Sequence, residues 1–235
     1  MYPDYESLSR SAASFIMGQL QANPSLLLCA ATGETPTQTY NLLAAQLKHE
    51  QNMFDNLRVL KLDEWGGLAM DDQGSCEMYL QHHLIQPLGI TEDRYIGFCS
   101  NAADPVLECR RIQDELERQS PIDLCVLGLG ANGHLALNEP ADELCPHTHV
   151  ARLSEQSLKH SMLSHSRQPR YGMTLGMADI LQSKTILLLV SGAHKRDVVQ
   201  RFLGGAISTI FPASFLWLHN NLTVMCDKDA FAAVA

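Results

Sequence analysis

Several features that define other protein classes are missing from this sequence. No stretch approaches the roughly 20 apolar residues that a membrane-spanning helix requires. The N-terminal stretch Met1–Leu20 has neither the basic start nor the continuous apolar segment of a secretory signal peptide. The formal net charge is -9, and the lysines and arginines form no stripe that would follow a phosphate backbone. We therefore expect a cytoplasmic protein with neither a membrane nor a nucleic acid as partner.

Paired cysteines are also absent. The chain has 7 cysteines, an odd number, and none of them are spaced as CxxC. Dispersed thiols of this kind are typical of a reduced protein in the cytosol. No cysteines and histidines have the spacing of a zinc finger. We therefore expect no metal site.

What the sequence does contain is an alternation of strand and helix patterns. With 46% hydrophobic residues in 235, the chain can bury a large core, and we predict a single domain over residues 1–235. Apolar runs predict strands at Ser25–Ala31, Leu57–Leu62, Tyr95–Cys99, Ile122–Gly130 and Thr185–Gly192. Helical periodicity predicts helices at Glu6–Gln21, Thr37–Lys48, Ser75–Leu84, Pro105–Arg118 and His194–Leu203. This order predicts an α/β fold with a doubly wound, mainly parallel, Rossmann-like sheet and helices on both faces.

Ligands of such sheets bind where the strands end and the loops begin. Thr32 and Gly33 follow the first strand, and Thr35 stands where a helix would start, so this loop could hold a phosphate. A tight turn with a capped helix would explain the same residues. Lys195 falls in the first turn of the last predicted helix, where an anionic ligand would explain a lysine better than helix stability does.

Carboxylates and a histidine follow two other strands. Asp63 and Glu64 come directly after Leu57–Leu62, where they would serve either catalysis or the capping of a helix. His134 lies among glycines and close to Asn132 and Glu139, in a loop after the most apolar strand. A lone histidine is more often structural, but three polar side chains in one flexible loop favour acid–base chemistry.

Five segments together resemble one family. "LLLCAATGETPTQTY", "LKLDEWGGL", "GLGANGHLALNEP", "LLLVSGAHKRDVVQRFL" and "VMCDKDA" occur in the order and approximate spacing of the glucosamine-6-phosphate deaminase family. That family also holds galactosamine-6-phosphate deaminase/isomerases and is related in fold to 6-phosphogluconolactonase. The resemblance runs from about Ser25 to Ala230 and implies a fold of the sugar-phosphate isomerase type.

The resemblance also implies a reaction and its residues. It makes Asp63 the enolisation base and assigns Asn132, His134 and Glu139 to opening the sugar ring. The phosphate cradle would lie at Thr32, Gly33, Glu34, Thr35 and Lys195. A 2-amino-2-deoxyhexose 6-phosphate would become a 2-ketohexose 6-phosphate and ammonia, without a metal or an organic cofactor.

The chain departs from the family pattern at two residues and at its end. Asn132 stands where Asp is common, which places the acid–base work on His134 and Glu139. A lid segment over residues 146–170 has Met162 where the family has a phosphate-binding arginine, with Lys159, Arg167 or Arg170 as substitutes. The sequence ends soon after "CDKDA", without the extension of allosteric hexameric relatives, so we do not expect their regulation.

Other functions are compatible with the same motifs. A 6-phosphogluconolactonase-like hydrolase would share the fold, but the segment Asn138–Pro140 favours the deaminase. A non-catalytic sugar-phosphate-binding regulator is allowed by Asn132 and Met162. The "DEW" and "FPASFLWLH" segments lean towards galactosamine 6-phosphate rather than glucosamine 6-phosphate. We expect a small-molecule partner, and the sequence is compatible with both a monomer and a homo-oligomer.

Overall fold

A computed structural model describes residues 1–47, 52–164 and 166–231. Its strands are β1 (Leu27–Ala30), β2 (Arg58–Lys61), β3 (Asp63–Gly66), β4 (Tyr95–Ile96), β5 (Leu124–Gly128), β6 (His149–Ala151), β7 (Tyr171–Thr174), β8 (Thr185–Val190) and β9 (Leu222–Cys226). Its α-helices are α1 (Tyr5–Ala22), α2 (Glu34–Gln46), α3 (Cys76–Leu80), α4 (Pro105–Gln119), α5 (Met177–Leu181) and α6 (Arg196–Leu203). A π-helical turn, Gln81–Ile85, continues α3, and 3₁₀ turns of three to seven residues join other elements.

The main sheet has six strands in the order β4-β2-β1-β5-β8-β9. Every pair of neighbours in it is parallel. When its six strands are numbered by their order along the chain, this sheet has the order 3-2-1-4-5-6 that is typical of dinucleotide-binding folds. In this order the chain reverses its direction across the sheet between β1 and β5. The predicted doubly wound α/β sheet is confirmed. The crevice at this reversal is where the loops carrying Thr32 and His134 begin.

The sheet is buried on both faces, which explains why its strands are continuous apolar runs. In β1, Leu27 and Cys29 point into a core shared with α4 and α6. The alternate residues Leu28 and Ala30 point into a second core shared with α1 and α2. Because each face needs its own layer of helices, the fold holds the ends of β1 and β5 rigidly between two cores.

A second, antiparallel sheet was not predicted. It has the order β3-β7-β6, and Asp63 at the start of β3 pairs with Thr174. β3 begins one residue after β2, and only Leu62 separates them, so the chain leaves one sheet and enters another within a single residue. β6 lies within the segment 146–170, which the sequence marks as irregular.

Some element bounds differ from the predictions. α2 begins at Glu34 rather than Thr37, because Gly33 has a positive φ of 108° and turns the chain directly into the helix. The predicted end of that helix at Lys48 lies outside the described residues. Lys195 belongs to a 3₁₀ turn, Ala193–Lys195, that precedes α6, so it is not in the helix's first turn. None of the helices among the described residues combines the length and the apolar character needed to cross a membrane.

Candidate active site

A cavity of about 810 Å³ opens at the carboxyl ends of the main strands. Seven residues expected in the site line it: Thr32, Gly33, Glu34, Thr35, Asp63, His134 and Lys195. Asn132 and Glu139 are not among its lining residues. They contact the loop of His134 from behind and form a second row of polar groups.

The first turn of α2 faces this cavity without a cap. No side chain accepts a hydrogen bond at its N-terminus, and Gly33 occupies the cap position. The hydroxyls of Thr37 and Tyr79 both bond the carbonyl oxygen of Gly33, each at 2.8 Å, and thereby hold the turn. The first N–H groups of a helix have no partner within it and carry a partial positive charge. The arrangement suits an anion, while Glu34 is exposed at the rim.

Lys195 adds a cation to the lining of the cavity. Its Nζ donates a hydrogen bond to the carbonyl oxygen of Leu129 at 2.6 Å, which ties it to the end of β5. Burial lowers the pKa of Lys195, and the negative charge of Glu34 opposes that shift. A phosphate between Lys195 and the start of α2 would replace the water that each of them loses in the cavity.

Asp63 lies at the cavity wall, where β3 begins. The residue is only 8% exposed. Burial raises the pKa of its carboxyl to about 7 and the charge of Glu64 adds to the shift, whereas Lys61 and the thiol of Cys76 oppose it. The Cys76 Sγ lies 3.9 Å from Asp63 Oδ1. A carboxylate that titrates near neutral pH is suited to taking and returning a proton.

Glu64 has a different environment from Asp63. Its Oε1 accepts the N–H of Cys76 and its Oε2 accepts the N–H of Glu77, at the start of α3. The buried ammonium of Lys61 lies 2.7 Å from Glu64 Oε2 and 2.6 Å from Glu77 Oε2, and donates to Phe98 O at 2.8 Å. The helix-capping alternative therefore applies to Glu64.

The histidine loop is built around Glu139. Asn132 Nδ2 donates to Glu139 Oε2 at 2.8 Å, and the His134 N–H donates to Asn132 Oδ1 at 3.0 Å. His134 Nδ1 lies 3.4 Å from Glu139 Oε2, which is an ion-pair distance, but the direction is not that of a hydrogen bond. Burial favours the neutral acid, yet His134, Ser157 and Asn132 outweigh it and lower the pKa of Glu139 to about 2.

Gly130 allows the imidazole to take this position. A β-carbon built on Gly130 would lie 2.4 Å from both Cδ2 and Nε2 of His134. Any larger residue there would displace the ring. Gly130, within the histidine motif, is therefore a packing requirement for the histidine.

The lid segment meets the site at several residues. The hydroxyl of Ser154 donates to Glu139 Oε1 at 2.9 Å, and the hydroxyl of Ser157 donates to the same oxygen. Further lining residues come from the same segment: Gln156, Lys159, His160 and Ser161. Met162 instead packs against a small apolar cluster that includes Trp65 and Leu163.

Of the expected substitutes for arginine, Lys159 alone is among the residues that line the described cavity. The sequence motifs did not point to Tyr5, Trp65 or His160, which also line it. The tryptophan stands in the quoted "DEW" segment, but nothing in that spacing indicates that it faces a cavity. Among the described residues, no group of histidine, cysteine and acidic side chains is arranged to hold a metal ion.

The fold and site together define a class of protein. At the reversal point of its parallel sheet, the chain has a cavity lined by a buried carboxylate, an imidazole, a lysine and an uncapped helix start, which is an arrangement typical of α/β enzymes that act on small anionic substrates. Residues 3–225 match the model of the family described as glucosamine-6-phosphate isomerases/6-phosphogluconolactonase. The chain belongs to this enzyme family, and the membership predicted from the motifs is confirmed.

Individual relatives cover nearly the whole chain. "Putative deaminase AgaI" of Escherichia coli (strain K12) is 42% identical over 225 residues, 95% of this chain and 89% of that protein. Glucosamine-6-phosphate deaminase 1 of Bacillus subtilis (strain 168) is 37% identical, with 96% and 95% covered. The solved structure of a monomeric glucosamine-6-phosphate deaminase superposes with a TM-score of 0.93 at 36% identity, covering 98% of each chain.

Proposed function

We propose that this protein converts a 2-amino-2-deoxyhexose 6-phosphate into a 2-ketohexose 6-phosphate and ammonia. The observation that carries the proposal is that Asp63 and His134 line one cavity together with Lys195 and the uncapped start of α2. That cavity therefore offers a base, an acid–base pair and an anion site to a single small molecule.

The phosphate is the group that fixes the substrate's position. It would lie between the ammonium of Lys195 and residues 32–35, which form the loop and the start of α2. The protein's net charge of -9 gives no general attraction for an anion, so these local groups must supply it. The sugar ring then extends towards His134 and Asp63.

Ring opening is the first chemical step. One group takes the proton of the anomeric hydroxyl and returns a proton to the ring oxygen as the ring C–O bond breaks. His134 fits this task, since its Nδ1 faces Glu139 and its Nε2 remains for the sugar. Glu139 stays ionised because its pKa is about 2, and it thereby stabilises the imidazolium. Asn132 holds Glu139 and the backbone of His134 in place.

Asp63 carries out the second step. As a carboxylate it removes the C2 proton of the open-chain aldose while the aldehyde oxygen takes up a proton, which gives an enolamine. It then delivers the C2 proton to C1 as the amine loses a proton, which leaves an imine at C2. The resulting imine at C2 adds water and releases ammonia, leaving the ketone. No step requires an electron acceptor, and the groups of the site suffice for the proton transfers.

We infer a preference for galactosamine 6-phosphate, with glucosamine 6-phosphate as the alternative. The "DEW" and "FPASFLWLH" segments support it weakly, and named relatives include both an AgaI protein and glucosamine-6-phosphate deaminases. The inference that the enzyme works in the reducing cytoplasm is supported by its seven cysteines, which are all free.

The lactonase alternative has weaker support. Solved 6-phosphogluconolactonases, such as that of Trypanosoma brucei, share the fold with a TM-score of 0.78 at 22% identity. The hydrogen-bonded group of Asn132 and Glu139 behind His134 serves ring opening and has no evident use in opening a lactone. A non-catalytic regulator would not need Asp63 to titrate near neutral pH.

Ammonia release from each hexosamine 6-phosphate tests the proposal. We expect release with at least one of them, and loss of roughly 1,000-fold or more in kcat for Asp63→Asn with substrate binding retained. Asp55→Asn, the same substitution at an exposed residue outside the cavity lining, is the matched control. Hydrolysis of 6-phosphogluconolactone without ammonia release from either amino sugar would refute the proposal, and binding without any turnover would favour the regulator.

A further inference from the structure

The lid brings a second imidazole into the cavity, opposite the phosphate loop. His160 lines the cavity, although the sequence motifs gave no reason to expect it there. A β-carbon built on Gly33 would lie 3.6 Å from His160 Nε2, which is ordinary contact distance. The ring edge therefore covers Gly33, the cap residue that precedes α2. Since this turn is the expected anion site, His160 closes it from the lid side.

The ring is held in one orientation by its surroundings. The N–H of Met162 donates to His160 Nδ1 at 3.3 Å. The ring also packs on Trp65, with centroids 5.9 Å apart and a tilt of 48°. Because Nδ1 accepts a hydrogen bond, the neutral imidazole carries its hydrogen on Nε2. That N–H points towards the start of α2, and no hydrogen bond joins it to another described residue.

Burial and the neighbouring charges favour the neutral form of the ring. Burial lowers the pKa of His160, the positive charges of His134 and Lys195 lower it further, and Glu34 opposes them. The Nε2 donor of His160, the ammonium of Lys195 and the uncapped start of α2 line the same cavity, and an anion bound there would complement all three.

We propose that His160 is the lid residue that binds the substrate's phosphate, donating from Nε2 while Lys195 and the first turn of α2 hold the other phosphate oxygens. His160 thereby supplies the phosphate contact from the lid that the family's arginine would supply, since this chain has Met162 at the position of that arginine. Lys159 also reaches the cavity, but its side chain is exposed, so water and salt screen its charge. The identity of the sugar on this phosphate rests on the proposed function.

The kinetic test separates binding from chemistry. A hydrogen bond to a charged group contributes about 1.5–3 kcal/mol, so His160→Ala should raise KM for the hexosamine 6-phosphate by roughly 10- to 100-fold while kcat stays within about 3-fold. His160→Gln, whose amide donates at a similar reach, should recover part of that loss. Arg152→Ala, an exposed lid variant at a residue outside the cavity lining, should leave both constants unchanged.

A binding test keeps the inference independent of turnover. Inorganic phosphate should raise the melting temperature of the wild type, and His160→Ala should lose most of that protection. If neither hexosamine 6-phosphate is turned over but this loss occurs, the proposed function fails and the phosphate role of His160 stands.

Two results would overturn the inference. One is an unchanged KM and unchanged phosphate protection in His160→Ala, with the loss appearing instead in Lys159→Ala. The other is a fall in kcat at constant KM, which would place His160 at the sugar's reacting carbons and not at its phosphate.

Discussion

Replacing Lys61 by methionine would test the charge network beneath the proposed base. The Lys61 side chain is fully buried, and its ammonium bonds the carboxylates of Glu64 and Glu77. Methionine has a similar length and no charge, so the two carboxylates would be left without their cation in the protein interior. Breaking a buried ion pair from one side typically costs about 3–5 kcal/mol. For a chain of this size that corresponds to a fall of roughly 6–20 °C in melting temperature.

The dependence of this loss on pH follows from the direction of the pKa shifts. Burial acts to lower the pKa of Lys61, but its two carboxylates outweigh burial and raise it above its ordinary value. The stability that Lys61 contributes is complete at pH values below the ordinary pKa of lysine and is lost as the pH rises through the raised pKa of Lys61. The pKa of Glu77 is lowered, since Lys61, Gln81 and Tyr95 outweigh burial. The stability that Glu77 contributes is complete at pH values above the ordinary pKa of glutamate and is lost as the pH falls through the lowered pKa of Glu77. The network is therefore intact from roughly pH 5 to pH 10.

Urea unfolding of wild type and Lys61→Met at pH 7 and at pH 4 measures both effects. We expect a difference of about 3–5 kcal/mol at pH 7 that narrows at pH 4, because buried carboxylates that have lost their cation in the variant take up protons more readily than those of the wild type. Adding Glu77→Gln to Lys61→Met should restore part of the loss at pH 7. Equal stability of the single variant and the wild type at pH 7, or a difference that does not change with pH, would refute this account of the network.

Other predictions concern the site itself. Because Asp63 has a pKa of about 7 and must be ionised to act, kcat/KM should fall about tenfold per pH unit below that value; a profile flat down to pH 5 would contradict its role as base. Lys195→Ala should mainly raise KM, as measured by ammonia release, and a fall in kcat alone would count against a phosphate contact. Gly130→Ala should remove turnover by displacing His134 and yet preserve protection by inorganic phosphate. Gly18→Ala, where an added methyl meets no atom within 4 Å, is its control.

The main sheet was predictable from sequence because both of its faces are buried. Runs such as Leu27–Ala30 and Thr185–Val190 are fully buried strands. Their continuous apolar character can be recognised from the sequence without knowing which strands lie next to each other. The antiparallel sheet was not predictable in the same way. Its strand Asp63–Gly66 is also buried throughout, but it contains two acidic residues, and the burial of Glu64 is compensated by Lys61 and the start of α3. Such compensation is a property of the tertiary structure.

The gathering of residues at one cavity was predictable where those residues closely follow strands of the main sheet. Asp63, His134 and Lys195 follow β2, β5 and β8, and the topology alone brings them to one edge. The sequence did not indicate that Asn132 and Glu139 would lie behind His134 and not in the cavity wall. His160 was not predictable either, since its place depends on how an irregular segment folds back over Gly33 and Trp65.

The two oxygens of Glu139 belong to different parts of the molecule. Oε2 faces Asn132 and His134, whereas Oε1 receives the hydroxyls of Ser154 and Ser157 from the lid. Under the proposed roles, the lid cannot lift without removing donors from the carboxylate that orients the proton-transfer group. With the lid open, Glu139 would lack the hydrogen bonds from the two serine hydroxyls. Closure of the lid over a bound sugar phosphate would restore these bonds and orient His134 for proton transfer. Such timing would confine proton transfer to the interval in which the substrate is enclosed.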